Sequence, residues 1–220
     1  MATIAEKILA SHSARETVTP GEFVNAKIDL AMGHIALARV AANFMGFPKE
    51  ARKVWDPDKI VILEDHYAPA PNERWAMVHR LLRQFSKEQN IKYFYDIKAG
   101  ICHQVLPERG HVLPGRLIIG TDSHTTTYGA LNAAGTGIGY TEMTWVLVKG
   151  ELWFRVPETI KFDVHGELQD GVMSKDVILH IAGKYGADVA QYKSVEFVGR
   201  TVERVSLSSR MTMSLSLIHI

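Results

Sequence analysis

Apolar and polar positions along this chain follow two rhythms. Lys59–Leu63 (KIVIL) and Arg116–Gly120 (RLIIG) are short apolar runs of the length expected for strands covered on both faces. Lys92–Ile97 (KYFYDI) is strand-like, and Thr159–His165 (TIKFDVH) alternates as a half-buried strand does. Between these runs apolar residues recur at three and four. Ile4, Ile8 and Leu9 do so within Ile4–Ser11, and Trp75, Val78, Leu81, Leu82 and Phe85 do so within Asn72–Gln89, which predicts amphipathic helices. Thr19-Pro20-Gly21 breaks the first helix. Val24–Met45 reads as one short strand, a turn at Gly33 and a small-residue helix suited to close packing on a sheet. Tyr140–Leu152 reads as a helix, and Ser174 as the cap of another that runs through VILHIAGKYG. Strands that alternate with helices predict a layered α/β architecture with a largely parallel sheet.

The candidate chemistry lies just after the strands, where open α/β sheets bind ligands. KIVIL runs into Glu64-Asp65-His66, and RLIIG into Asp122-Ser123-His124. His103 follows KYFYDI within Gly100–Gln104. A carboxylate beside an imidazole suits acid–base work near neutral pH, because it orients the ring and stabilises its protonated form. The plainer reading has Asp122 and Ser123 capping a helix and His124 on the surface. His34 reads as a helix-start residue, His79 as solvated among polar helix positions, and His165 and His180 as structural or surface residues. Gly129, Gly135, Gly137 and Gly139 predict a glycine-rich loop able to turn backbone N–H groups toward an anion.

Rival chemistries fit less well. Ser123 is not in a G-x-S-x-G elbow. The three later glycines are spaced G-x-G-x-G after a loop, unlike a dinucleotide fingerprint. A mononuclear metal site of His66, His103 and His124 with a carboxylate remains open on donor chemistry. Composition narrows the field further. The 220 residues are 46% hydrophobic and 22% charged, enough for one or two domains with a real core. A net charge of +1 without a basic run gives no footprint for nucleic acid or an anionic membrane. One cysteine excludes an intrachain disulfide, and the N-terminal residues lack the apolar segment of a signal or span, so the default is a cytoplasmic protein.

Several stretches carry a resemblance that spacing alone does not supply. IAEKILASHS, LEDHYAP, GICHQVLPERGHVLPGRLIIGTDSHTTTYGALNAAGTGIG, FDVHGEL, SKDVILHIAG and LSSRMTMS occur in the order of the aconitase superfamily. Within it the chain is most similar to the large subunits of 3-isopropylmalate dehydratase and homoaconitase-type hydro-lyases. The resemblance implies the N-terminal part of a three-layer α/β/α fold. It also implies dehydration and rehydration of a small hydroxy di- or tricarboxylic acid, with isomerisation of 2- and 3-isopropylmalate in leucine biosynthesis foremost. Homocitrate, citrate and dimethylmalate are alternative substrates, a separate small subunit is the implied partner, and a 4Fe–4S cluster is the implied cofactor. His66, oriented by Asp65, would protonate the departing hydroxyl. Asp122 and His124 would hold the hydroxyl or water, Ser123 would contact a substrate carboxylate, and His103 would be the third active-site histidine. Cys102 matches no cluster ligand and is expected to be a buried, ordinary thiol. After His34 the family has Asp and Thr where this chain has Ile35 and Leu37.

The family's cluster cysteines and carboxylate-clamping arginines are expected beyond this chain, so no metal ligand is assigned within it. LSLIHI at the end matches the translated end of a transposon used to tag sequencing libraries. Residues 1–214 are therefore read as the N-terminal portion of a longer enzyme and 215–220 as a non-native tail, with the chain alone inactive. A cluster-free RNA- or ligand-binding module is the alternative from another class, and the near-neutral charge speaks against RNA.

Overall fold

A computed structural model describes residues 2–48, 50 and 52–216. Chain order begins α1 (Ile4–His12), β1 (Phe23–Lys27), β2 (Leu30–Gly33), α2 (Leu37–Met45), β3 (Ile60–Leu63), α3 (Glu73–Glu88), β4 (Tyr93–Tyr95), α4 (Cys102–Glu108) and β5 (Leu117–Gly120). A 3-10 stretch (Ser123–Leu131) leads to β6 (Ala134–Gly137), α5 (Tyr140–Lys149) and β7 (Glu151–Arg155). The chain continues through β8 (Thr159–Asp163), α6 (Ser174–Tyr185), β9 (Ser194–Val198), α7 (Arg200–Arg204) and α8 (Leu207–Ser216).

β2, β3 and β5 are buried at every position, as apolar strands covered on both faces must be. They form a five-stranded parallel sheet in the order β4-β3-β2-β5-β6. The chain steps from β2 to β3 to β4 on one side and places β5 and β6 on the other. The order therefore reverses between β2 and β5, opening a crevice at their carboxyl ends. Alternate residues feed two cores. Ala31, Ile60, Ile62, Leu117 and Ile119 pack with Phe44 of α2, Leu82 and Phe85 of α3 and Val146 of α5. Leu30, Met32, Val61, Leu63 and Ile118 pack with Cys102, Val105 and Leu106 of α4 and with Tyr128. The sheet thus lies between two helical layers, the α/β/α arrangement expected.

Two smaller pieces flank it. β1 and β7 form an antiparallel ribbon, Phe23 opposite Arg155 and Lys27 opposite Glu151. β8 and β9 pair in parallel, and Ile178, Ile181 and Met213 pack with Phe162 and Phe197.

Several boundaries differ from the sequence expectation for physical reasons. The helix expected over Tyr140–Leu152 stops at Lys149, because Gly150 takes a left-handed conformation at φ 69° against the Trp55 ring, and Leu152 belongs to β7. The single strand expected after Val24 is two, β1 and β2, which belong to different sheets. Ser174 is the first residue of α6 and not its cap; Met173 holds that position, its N–H donating to Asp176 Oδ2 at 2.8 Å. Of the expected glycine-rich loop, Gly135 and Gly137 belong to strand β6, opposite Ile118 and Gly120, while Gly129 lies in the 3-10 stretch and Gly139 caps α5. The β6 glycines admit the 3-10 stretch. A Cβ on Gly135 would strike the Thr125 carbonyl, and one on Gly137 would lie 2.7 Å from the Asp122 carbonyl oxygen. Leu215 and Ser216 close α8, and residues 217–220 of the expected tail lie outside the described residues.

Candidate active site

The crevice between β2 and β5 gathers side chains from four chain segments. β2 ends in Gly33, where a Cβ would meet the Leu37 side chain at 2.7 Å, so glycine lets α2 fold back at once and leaves His34 at the strand tip. β3 delivers Asp65 and His66, the start of α4 delivers His103, and β5 delivers Asp122, Ser123 and His124.

Asp122 is the centre. Its Oδ1 accepts from the His124 N–H at 2.7 Å and lies 2.9 Å from His103 Nε2 and 3.2 Å from His124 Nδ1. Its Oδ2 faces His34 Nε2 at 3.4 Å and His66 Nε2 at 3.8 Å. The hydrogen bond from His103, with His34 beside it, holds the carboxyl far below the carboxylate range against the opposing effect of burial. This residue is therefore an anion at any working pH.

Asp65 and His66 form the second centre. Asp65 Oδ1 lies 2.7 Å from His66 Nδ1, and its Oδ2 accepts the Cys102 N–H at 2.7 Å. Burial pushes the Asp65 carboxyl up, but these two bonds outweigh it and leave it lowered. The bond to Asp65 raises His66 in turn, against partial burial. Asp65 is 5% exposed and the His66 side chain 42%, so the carboxylate is fixed inside while the ring's Nε2 stays within reach of a ligand. His34 stacks on that ring, centroids 4.1 Å apart at 15°. Its Nδ1 accepts the Ala36 N–H at 3.3 Å, so the proton sits on Nε2, which lies 3.4 Å from Asp122 Oδ2 without a hydrogen bond among the described residues. His103 Nδ1 lies 3.3 Å from the hydroxyl of buried Tyr128. Ser123 is exposed and lines an open cleft of about 610 Å³ with His34, Asp122, Thr136 and Gly139.

Every predicted site residue thus lies at the crevice, and His34 joins them. The sequence carried its signal, since His34 follows β2 as His66 and His124 follow their strands. His79, expected to be solvated, is buried against Glu64. His111, also buried, bonds the Tyr95 hydroxyl at 2.6 Å. The metal set weighed from sequence, His66, His103 and His124, divides into two sets that share Asp122: His34 with His66, and His103 with His124. In the first set the two rings are near-parallel, and in the second both ring nitrogens lie within hydrogen-bonding distance of the carboxylate.

The residue pattern of the Aconitase family (aconitate hydratase) matches residues 7–215. The chain belongs to the aconitase family. It is 51% identical over 212 residues to a protein named probable 3-isopropylmalate dehydratase large subunit from Methanothermobacter thermautotrophicus, covering 96% of this chain and 50% of that protein. It is 47% identical over 211 residues to 3-isopropylmalate dehydratase large subunit 1 of Methanopyrus kandleri, with the same coverage of each. A probable methanogen homoaconitase large subunit, also from M. thermautotrophicus, is 47% identical over 214 residues, again across 96% of this chain and 50% of the relative. The chain spans about half the length of these curated relatives.

The 4Fe–4S cluster that the aconitase family implies does not fit the residues present. Such a cluster is held by several thiolates. This chain has one cysteine, Cys102, fully buried in the second core, with burial and neighbouring Asp65 pushing its thiol well up.

Proposed function

We propose that these residues form the acid–base side of an aconitase-type hydro-lyase, with 3-isopropylmalate as substrate and homoaconitate chemistry as the alternative. The observation that carries the reading is the convergence of four histidines on one partly buried carboxylate at the switch point of the sheet.

In the dehydrating direction His66, protonated and aimed by Asp65, gives its Nε2 proton to the departing hydroxyl. The C–O bond breaks with its electron pair going to oxygen, and water leaves. In the hydrating direction the same nitrogen takes the proton back from water. Asp122, charged throughout, holds that water through His103 and His124, while Ser123 at the rim takes a substrate carboxylate. Removal of the carbon-bound proton needs a base outside this set. The reading further gives the protein a separate small subunit, a place in leucine biosynthesis and a cytoplasmic location. Among the described residues no helix is long and apolar enough to cross a membrane.

A chimaera tests the reading. Residues 7–215 replace the matching segment of the M. thermautotrophicus 3-isopropylmalate dehydratase relative, and the protein is reconstituted anaerobically with a small subunit. We expect turnover of isopropylmalate, reduced by about 10²- to 10⁴-fold on His66→Asn. Turnover of homocitrate alone moves the substrate to the alternative. Turnover of neither, beside an active unmodified relative, refutes the hydro-lyase reading.

A further inference from the structure

On the far side of the β3 carboxyl end, Glu64 and His79 form a pair that the chemistry above does not use. Successive residues leaving a strand point to opposite faces, so Asp65 turns toward α4 and Glu64 toward α3. There Glu64 Oε2 meets His79 Nδ1, the side chains 0% and 1% exposed. His79 Nε2 lies 3.0 Å from the Tyr67 carbonyl oxygen. A carbonyl only accepts, so Nε2 carries a hydrogen. Nδ1 and Oε2 then share one proton, as imidazolium with carboxylate or as imidazole with carboxylic acid, and the pair is neutral either way. Burial pushes the Glu64 carboxyl up and His79 opposes that shift. The other charged groups acting on Glu64, Arg83 and Asp96, are bound to each other at 2.6 and 2.8 Å.

Such a pair is a poor source of stability. Glu64 Oε1 has no hydrogen-bond partner among the described residues. A buried polar atom left unpaired costs energy, and apolar residues of similar volume commonly match or better a buried ion pair. What the pair supplies is geometry. The Glu64 N–H donates to the Tyr95 carbonyl at 2.9 Å, which holds Glu64 in line with the sheet. Three residues on, Tyr67 sits at φ 52° with its ring stacked on Trp75 of α3, centroids 3.8 Å apart. Asp65 and His66 are the two residues between these fixed points.

We propose that His79 is a positioning residue: by gripping Glu64 and the Tyr67 carbonyl together it fixes the two-residue span between them and aims His66 at Asp65 and Asp122. The proposal rests on the hydro-lyase reading only for what His66 then does, since the clamp is a property of this chain alone.

The test is made on the 220-residue chain by NMR, apart from any turnover assay. In the unmodified chain the His79 Nε2 hydrogen is protected from exchange and bonded to the Tyr67 carbonyl, and His66 titrates above the ordinary histidine value. The Glu64→Leu/His79→Leu double variant stays folded and loses the raised His66 titration. Glu64→Gln retains it, because the amide donates to Nδ1 while Nε2 still donates to Tyr67. A freely exchanging Nε2 hydrogen in the unmodified chain overturns the proposal without any variant. A folded double variant with unchanged His66 titration also overturns it, as does a double variant that unfolds, since the pair is then merely structural. If the clamp holds by these measures and the chimaera turns nothing over, only the hydro-lyase reading falls.

Discussion

Asp65 and His66 set each other's charge, and the sign of each shift fixes when the pair helps the fold. Asp65 is lowered, so its contribution is present above the ordinary aspartate value of about 3.9 and is lost as pH falls through its lower folded value. His66 is raised, so its contribution is full below about 6.5 and is lost as pH rises through its higher folded value. The pair therefore supports the native state most between those two limits. With the His66 side chain 42% exposed, solvent screens much of the effect. Asp65→Asn separates charge from geometry, because the amide oxygen still accepts the Cys102 N–H while the negative charge is gone. The His66 midpoint, followed by ring-proton NMR, should then fall toward the ordinary value with the fold intact. An unmoved midpoint would show that Asp65 is not what raises it.

The 3-10 stretch crosses β6 backbone to backbone, and glycine is what permits the crossing. Gly135→Ala sets a methyl against the Thr125 carbonyl and within 3.2 Å of Tyr128 Cβ, and neither the main chain nor the buried tyrosine can give way easily. A loss of about 1–3 kcal/mol is expected, read as a lower urea midpoint. Gly183→Ala is the counterpart. Gly183 is exposed inside α6, and its added Cβ would meet nothing within 4 Å, so a gain of about 0.5–1 kcal/mol is expected. A Gly135→Ala chain as stable as its parent would mean that the stretch does not lie so close. These elements also show what local pattern carries. Buried strands and amphipathic helices follow from runs and periods within ten or so residues, and β3, β5 and α3 came within a residue or two of expectation. β6 did not, because an Ala-Gly-Thr-Gly strand has no apolar run, and only its neighbours make it one.

Strand order is decided between parts of the chain far apart, and so the sequence disclosed each acid–histidine pair without showing which would meet. His34 reaches Asp122 only because β2 lies beside β5 across 88 residues of chain, and His79 is buried only because α3 packs beside the β3 end. The same long-range placement bears on the cofactor. Cys102 Sγ lies inside the core beneath α4, packed among Leu30, Val61 and Leu106, with its thiol driven toward the protonated form. A thiolate, not a thiol, ligates iron, and one ligand of this kind leaves a cluster open to solvent and dissociation. Anaerobic incubation of the 220-residue chain with ferrous iron and sulfide should therefore leave it without the visible charge-transfer absorption of a 4Fe–4S cluster after desalting. Cys102→Ala should not change that result. Stable absorption that disappears with Cys102→Ala would reverse the conclusion, because it would require the core to open and the thiol to reach iron, and the chain would then hold more of the reaction than its acid–base side.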